Sequence, residues 1–253
     1  MFQGHDTPLA LAYLVGLGGW LLASRLLPRV WPSERIETIA RPWKEFGIAL
    51  LGACGILIMG QLWTRGIRLP EQGPTGPLLG SINQFLIFAP ILLVMAVRRQ
   101  PWTSAWLPGA RVSTRVLVGL VLAGLAVTAY SLMRDSADAP WVLFGRIWAY
   151  GHIDEMVQVF LEDLTIAILF VRLAGAIGKL WATVVVAFLF AAGHIPAMVS
   201  QGVTLSELTG LIRDAGLGVM VILVLQRSRD VVWFWCIHFC LDMTQFDRIS
   251  GIG

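Results

Sequence analysis

Apolar residues fill most of this chain in runs of about 16 to 20, and each run is bounded by Arg, Lys, Pro or Gly. A helix that crosses a bilayer needs ~20 predominantly apolar residues. The pattern therefore predicts an all-α polytopic membrane helix bundle of about eight transmembrane helices, forming one domain over residues 1–253. The predicted spans are Pro8–Leu27, Phe46–Trp63, Leu78–Val97, Val116–Met133, Met156–Val171, Leu180–Met198, Leu208–Gln226 and Val231–Phe246.

Composition supports a membrane protein. Hydrophobic residues make up 57% of the chain and charged residues 14%, against ~25% charged in soluble domains, and the mean hydropathy is +0.73. These values exclude a soluble enzyme, a disordered tail and a coiled coil. The aromatic stretch Trp141–Tyr150 is too short to span and is predicted to be an interfacial helix or loop.

The basic residues predict an orientation. Thirteen of the 19 Lys and Arg residues fall in the loops on one side of the predicted bundle. The positive-inside rule then places both termini outside the cytoplasm. The net charge of +3 reflects loop arginines beside lipid headgroups, so the predicted partner is the bilayer and not nucleic acid. Residues 1–7 carry no Lys or Arg, which predicts no cleaved signal peptide.

Ionisable side chains interrupt the last four spans, at Glu162, Asp163, His194, His238 and Asp242. A carboxylate at the centre of a bilayer costs ~2.5–3.5 kcal/mol on insertion scales. These groups must therefore be protonated, paired or exposed to a wet cavity. At ~1.5 Å per helical residue, Glu162, His194, His238 and Asp242 all fall near the middle of the bilayer. An intramembrane group of this kind is a functional-site hypothesis.

Spacing suggests which of these groups meet. His238 and Asp242 are four residues apart and share a helix face, whereas Asp163 points about 100° away from Glu162. Gly193 and Pro196 flank His194 and predict a thinned or kinked helix there. A Glu beside a His can activate water, and a second His with a polar neighbour can stabilise an oxyanion. Glu162, His194 and His238 are also a competent zinc set.

Three short motifs resemble the CPBP family of CAAX proteases and bacteriocin-processing proteins, also called Abi. They are Glu162-Asp163, the stretch Phe190–His194 and the stretch His238–Asp242. The resemblance covers residues 156–246, and the four helices in residues 1–133 share only their apolar character. It implies a catalytic core in the last four helices and no cofactor. Glu162 and His194 would activate the hydrolytic water, His238 and Asp242 would bind the oxyanion, and Asp163 and Phe190 would support them.

The chain departs from the family pattern at two positions, both in the first motif. Asp163 replaces the second Glu, and Ala167 stands where an Arg is expected. Arg172 is ten residues from Glu162 and too far to replace that Arg simply. Asp242 ends the third motif, and an ionised Asp cannot donate a hydrogen bond, so we expect it to hold His238 as an imidazolium. We expect Asp163 to serve in a structural ion pair or cap.

The resemblance implies an intramembrane peptidase in the plasma (inner) membrane of a prokaryote. The expected reaction is hydrolysis of a peptide bond in a membrane-anchored or lipid-modified protein, including a C-terminal sorting or anchor segment on the outer side. The main alternative is a catalytically silent scaffold or immunity protein that binds a membrane partner. A proton-coupled transporter is a third hypothesis, but the chain lacks the repeat symmetry expected of that class.

Overall fold

The computed structural model describes residues 6–31, 39–134, 139–200, 202–203 and 210–246, and over these ranges the protein is helical with no strand. Two short 3₁₀ helices, Trp102–Ala105 and Tyr150–His152, lie between α-helices. The α-helices, numbered here in chain order, are α1 Asp6–Leu26, α2 Pro42–Thr64, α3 Gly76–Val97, α4 Val112–Met133, α5 Pro140–Ile147, α6 Ile153–Ile177, α7 Lys179–Gly193, α8 Ile195–Ser200, α9 Gly210–Ser228 and α10 Val231–Phe246.

Four of these helices, α1 to α4, are long and apolar enough to cross a membrane. The absence of strands over the described residues confirms the predicted all-α class, and these four helices fit the predicted membrane protein. Helices α6, α7, α9 and α10 overlap the last four predicted apolar runs, but α7 ends at Gly193, before the predicted end at Met198. The predicted start at Leu208 lies outside the described residues. The stretch predicted to be interfacial overlaps the short helix α5.

Helix α6 lies at the centre of the bundle. It packs against α2 and α3 on one side and against α7 and α10 on others. Helix α4 packs against α1 and α10, and α7 packs against α9. A Cβ atom at Gly119 in α4 would come within 2.7 Å of the Trp233 carbonyl oxygen in α10, so these two backbones approach as closely as only Gly permits. Helix α10 is thereby fixed beside α4.

Buried polar contacts near the C-terminal end of α6 join this helix to its neighbours. The Arg172 guanidinium is fully buried and donates to the Ile168 carbonyl at 2.8 Å and to the Gln100 side chain. Gln100 in turn donates to Glu45 in α2. Arg172 therefore anchors α6 to the segment after α3.

Candidate functional site

Helix α6 presents its two adjacent acidic residues on different faces. Glu162 is half-buried and lines a cavity beside α2 and α7. Asp163 is fully buried and faces α10, where it contacts His238. Successive residues on a helix are rotated by about 100°, so the two carboxyl groups diverge as the sequence predicts. Helix α6 thus supplies one acid to each of two neighbouring spaces.

The cavity has a volume of about 330 Å³ and is lined by residues of α2, α3, α6 and α7 together with His194. Its walls are mainly apolar, and the ionisable groups on them include Glu162 and His194. Gln158, one turn before Glu162, donates from Nε2 to Glu162 Oε1 at 2.9 Å. Thr165 also lines the cavity, but its hydroxyl donates to the Leu161 carbonyl at 2.7 Å. The structure therefore brings the predicted acid and the first predicted histidine to one cavity.

His194 lies where the helix breaks. Helix α7 ends at Gly193 and α8 begins at Ile195, in agreement with the kink predicted from Gly193 and Pro196. The His194 backbone N–H donates to the Ala191 carbonyl at 3.1 Å. Its ring Nδ1 donates to the Phe190 carbonyl at 3.0 Å, because a carbonyl can only accept. This bond sets the tautomer and leaves Nε2 as the nitrogen that can take a proton.

The predicted supporting residue Phe190 contacts His194 in a second way. The Phe190 ring meets the His194 ring edge-on, with centroids 4.9 Å apart. Phe190 therefore holds this imidazole through both its carbonyl and its ring. His194 itself is exposed, so the cavity end that it marks is open to the surroundings.

The second histidine is held by Asp163. His238 Nδ1 lies 2.9 Å from Asp163 Oδ1, and Asp163 Oδ2 is buried with no hydrogen-bond partner among the described residues. An ionised carboxylate accepts a hydrogen bond from Nδ1–H, so Nε2 is free to contact another partner. The ring of Phe234, with its centroid 5.5 Å away, packs against the imidazole. His238 is therefore fixed in both tautomer and orientation.

His238 Nδ1 donates its hydrogen bond to Asp163 on α6 and not to Asp242 on the same helix as His238. The expectation that the charge of Asp242 holds His238 as an imidazolium stays a prediction. Positions four apart on one helix are neighbours, yet the His238 Nδ1 points across the helix interface toward α6. Asp242 lies within electrostatic range of His238, Glu162 and His194. We call Glu162, Asp163, His194, His238 and Asp242 the charged cluster, and Asp242 belongs to it by proximity.

A zinc set of Glu162, His194 and His238 was the metal alternative. Over the ranges that the structure describes, no three His, Cys, Asp or Glu side chains are grouped closely enough to hold a metal ion. Glu162 and His194 share the cavity, whereas His238 uses Nδ1 on Asp163. The two histidines are therefore arranged as separate groups on separate partners.

Two residues near the site were missed as functional candidates. Tyr13 on α1 is 5% exposed, and its ring centroid lies 6.4 Å from that of His238. Asp214 on α9 lies within electrostatic range of His194. A lone Tyr in an apolar run gives a weak signal, because only the packing of α1 against α10 brings it to the site. Asp214 was visible in the sequence as an acid in an apolar run.

Comparison with protein-family models, with curated proteins and with solved structures finds no match to this chain. The resemblance to the CPBP family therefore rests on its three short motifs.

Proposed function

We propose that this protein is an intramembrane peptidase of the CPBP type, acting on a membrane-anchored or lipid-modified protein in the plasma membrane of a prokaryote. The single observation that carries the proposal is that Glu162 and His194 line one largely apolar cavity. An apolar pocket with a few convergent polar groups is the expected form of a binding or catalytic site.

The proposed reaction begins with water bound between Glu162 and His194. One of these groups accepts a proton from the water as its oxygen attacks the carbonyl carbon of the scissile peptide bond. His238 does not line the cavity but lies within electrostatic range of Glu162. The carbonyl oxygen, on becoming an oxyanion, would therefore face the interface of α6 and α10 and accept a hydrogen bond there from Nε2 of a protonated His238. When the C–N bond breaks, the proton taken from water is delivered to the leaving nitrogen. The products are one carboxyl group and one amine, and the two side chains return to their starting states.

Asp163 has a defined part in this scheme. Its carboxylate accepts from His238 Nδ1 at 2.9 Å and stabilises the imidazolium that faces the oxyanion. A carboxylate placed behind a histidine orients the ring and favours its charged form. The cationic ring is then the donor in the reaction, and Asp163 is the group that positions it.

The membrane setting is part of the proposal. We propose that α6, α7, α9 and α10 cross the bilayer together with α1 to α4, which gives eight spans with both termini outside the cytoplasm. In this orientation Glu162 lies nine residues after Ile153, the first residue of α6, or roughly 14 Å at 1.5 Å per residue. A substrate would then be cut near the outer side of the membrane.

The test compares new protein termini in membranes from cells that carry the wild type, Glu162→Gln or His194→Ala. We expect termini that depend on the wild type and are lost in both variants. Suitable controls are Glu71→Gln and His152→Ala. His152 also donates from Nδ1 to a backbone carbonyl, that of Ile147, but it does not line the cavity.

Cleavage by Glu162→Gln at the wild-type rate would overturn the proposal. A wild type that produces no new termini, yet retains a membrane partner on affinity capture, would instead support the silent scaffold.

A further inference from the structure

The charged cluster is rich in hydrogen-bond acceptors. Glu162, Asp163 and Asp242 are carboxylates, which only accept hydrogen bonds when ionised. Two nearby side-chain donors are already engaged, since the Gln158 amide donates to Glu162 and the Thr165 hydroxyl donates to Leu161. An oxyanion formed in a peptidase needs positioned donors. A neutral side-chain donor beside His238 could therefore supply a hydrogen bond that the carboxylates cannot.

Tyr13 lies beside His238 and carries a hydroxyl group. It is 5% exposed, and α1 packs against α10. Its ring lies 6.4 Å from the His238 ring and 6.3 Å from the Phe234 ring, centroid to centroid. Its phenol lies within electrostatic range of Asp242, Asp163 and Glu162. Tyr13 thus packs beside His238 from a helix outside the three motifs.

We propose that the Tyr13 hydroxyl donates a hydrogen bond to the oxyanion beside His238, as a second donor that an ionised Asp242 cannot supply. This inference rests on the proposed peptidase function. A buried phenol keeps its proton at neutral pH because its ordinary pKa is about 10, so it donates without adding charge to the acidic cluster. Tyr13 is then a catalytic residue contributed by the first helix.

The decisive variant is Tyr13→Phe, which removes one oxygen and keeps the ring that packs against His238. The assay uses full-length protein in lipid vesicles and a synthetic peptide spanning the strongest wild-type-dependent cleavage site in membranes. We expect kcat to fall by about 100-fold, within the range of about 10²–10³ for losing one oxyanion donor. We expect KM to change by less than about twofold, because the donor acts only when the oxyanion forms.

A matched control is Tyr130→Phe. Tyr130 is 2% exposed on α4, and its hydroxyl accepts from Arg134 at 2.8 Å. We expect it to keep kcat within about twofold of the wild type. A thermal midpoint for Tyr13→Phe close to that of Tyr130→Phe would show that the loss of kcat does not come from unfolding.

A second variant separates donation from packing. In Tyr13→Phe the change Asp242→Asn introduces an amide donor, and we expect kcat to recover by about tenfold. Full activity of Tyr13→Phe, or no recovery in the double variant, would overturn the role of Tyr13. If Glu162→Gln also cleaves normally, the peptidase proposal fails as well. If Glu162→Gln is inactive, only the Tyr13 inference falls.

Discussion

His238 Nδ1 lies 2.9 Å from Asp163 Oδ1, across the interface between α10 and α6. Asp163 is fully buried, and the residue before it, Glu162, lines the cavity. The acid expected to be structural therefore stands directly behind a histidine of the candidate site. The proposed mechanism would use the same contact that joins α6 to α10.

The first prediction concerns this pair. Asp163→Ala should reduce cleavage by about 100-fold or more, since the imidazolium loses its buried counter-charge. Asp163→Asn should keep more activity, because the amide oxygen still accepts from Nδ1 and holds the tautomer. Initial cleavage rates of the vesicle-reconstituted variants measure the difference.

A double variant tests whether the two residues act as a unit. Asp163→Ala combined with His238→Ala should be no slower than His238→Ala alone. Additive losses would show that Asp163 acts independently of His238.

The second prediction concerns Asp242. Asp242→Asn should retain part of the activity, because an amide can donate to an oxyanion. Asp242→Leu should lose far more, because it removes both the charge near His238 and any polar contact. Equal rates for the two variants would exclude Asp242 from transition-state binding.

The third prediction concerns orientation. In a Cys54→Ala background, which removes the exposed free cysteine, Gly151→Cys should react with an impermeant thiol reagent on intact cells. Lys179→Cys should react only after the membrane is opened. Lys179 is chosen for the cysteine because the preceding residue, Gly178, has a φ of 82° that disfavours a side chain. The opposite labelling pattern would invert the topology.

The fourth prediction concerns a buried ion pair. Arg115 on α4 donates to Asp230 at 2.9 Å, and the Trp31 indole donates to the same oxygen. Burial raises the pKa of the Asp230 carboxyl, and Arg115 partly counteracts this rise. Arg115→Met should destabilise the protein by about 3–5 kcal/mol, because it leaves a buried acid without its cation.

Arg115→Met combined with Asp230→Asn should recover much of that stability, because no uncompensated charge remains. Thermal midpoints in detergent measure both variants. An unchanged midpoint in Arg115→Met would show that the pair contributes nothing.

Local features of the site were visible in the sequence. The positions of the long helices follow from run length, which each segment carries by itself. The break at His194 follows from Gly193 and Pro196, and the divergence of Glu162 and Asp163 follows from helix geometry. The catalytic roles assigned to these residues stay predictions.

Contacts between distant segments were not visible in the sequence. Asp163 and His238 are 75 residues apart, and Tyr13 comes from a helix that the motifs do not include. Which carboxylate reaches the imidazole depends on how α6 and α10 rotate against each other. The periodicity of either helix alone does not define that rotation.

Helix α6 also connects the cavity, which Glu162 lines, to His238, which Asp163 contacts. Because Glu162 and Asp163 are consecutive, a rotation of α6 about its axis would move both carboxyl groups at once. The buried Arg172, nine and ten residues further along, opposes such a rotation through its contacts with Gln100 and Ser104 outside α6. In the proposed mechanism, a substrate would therefore have to fit the cavity without a rotation of α6.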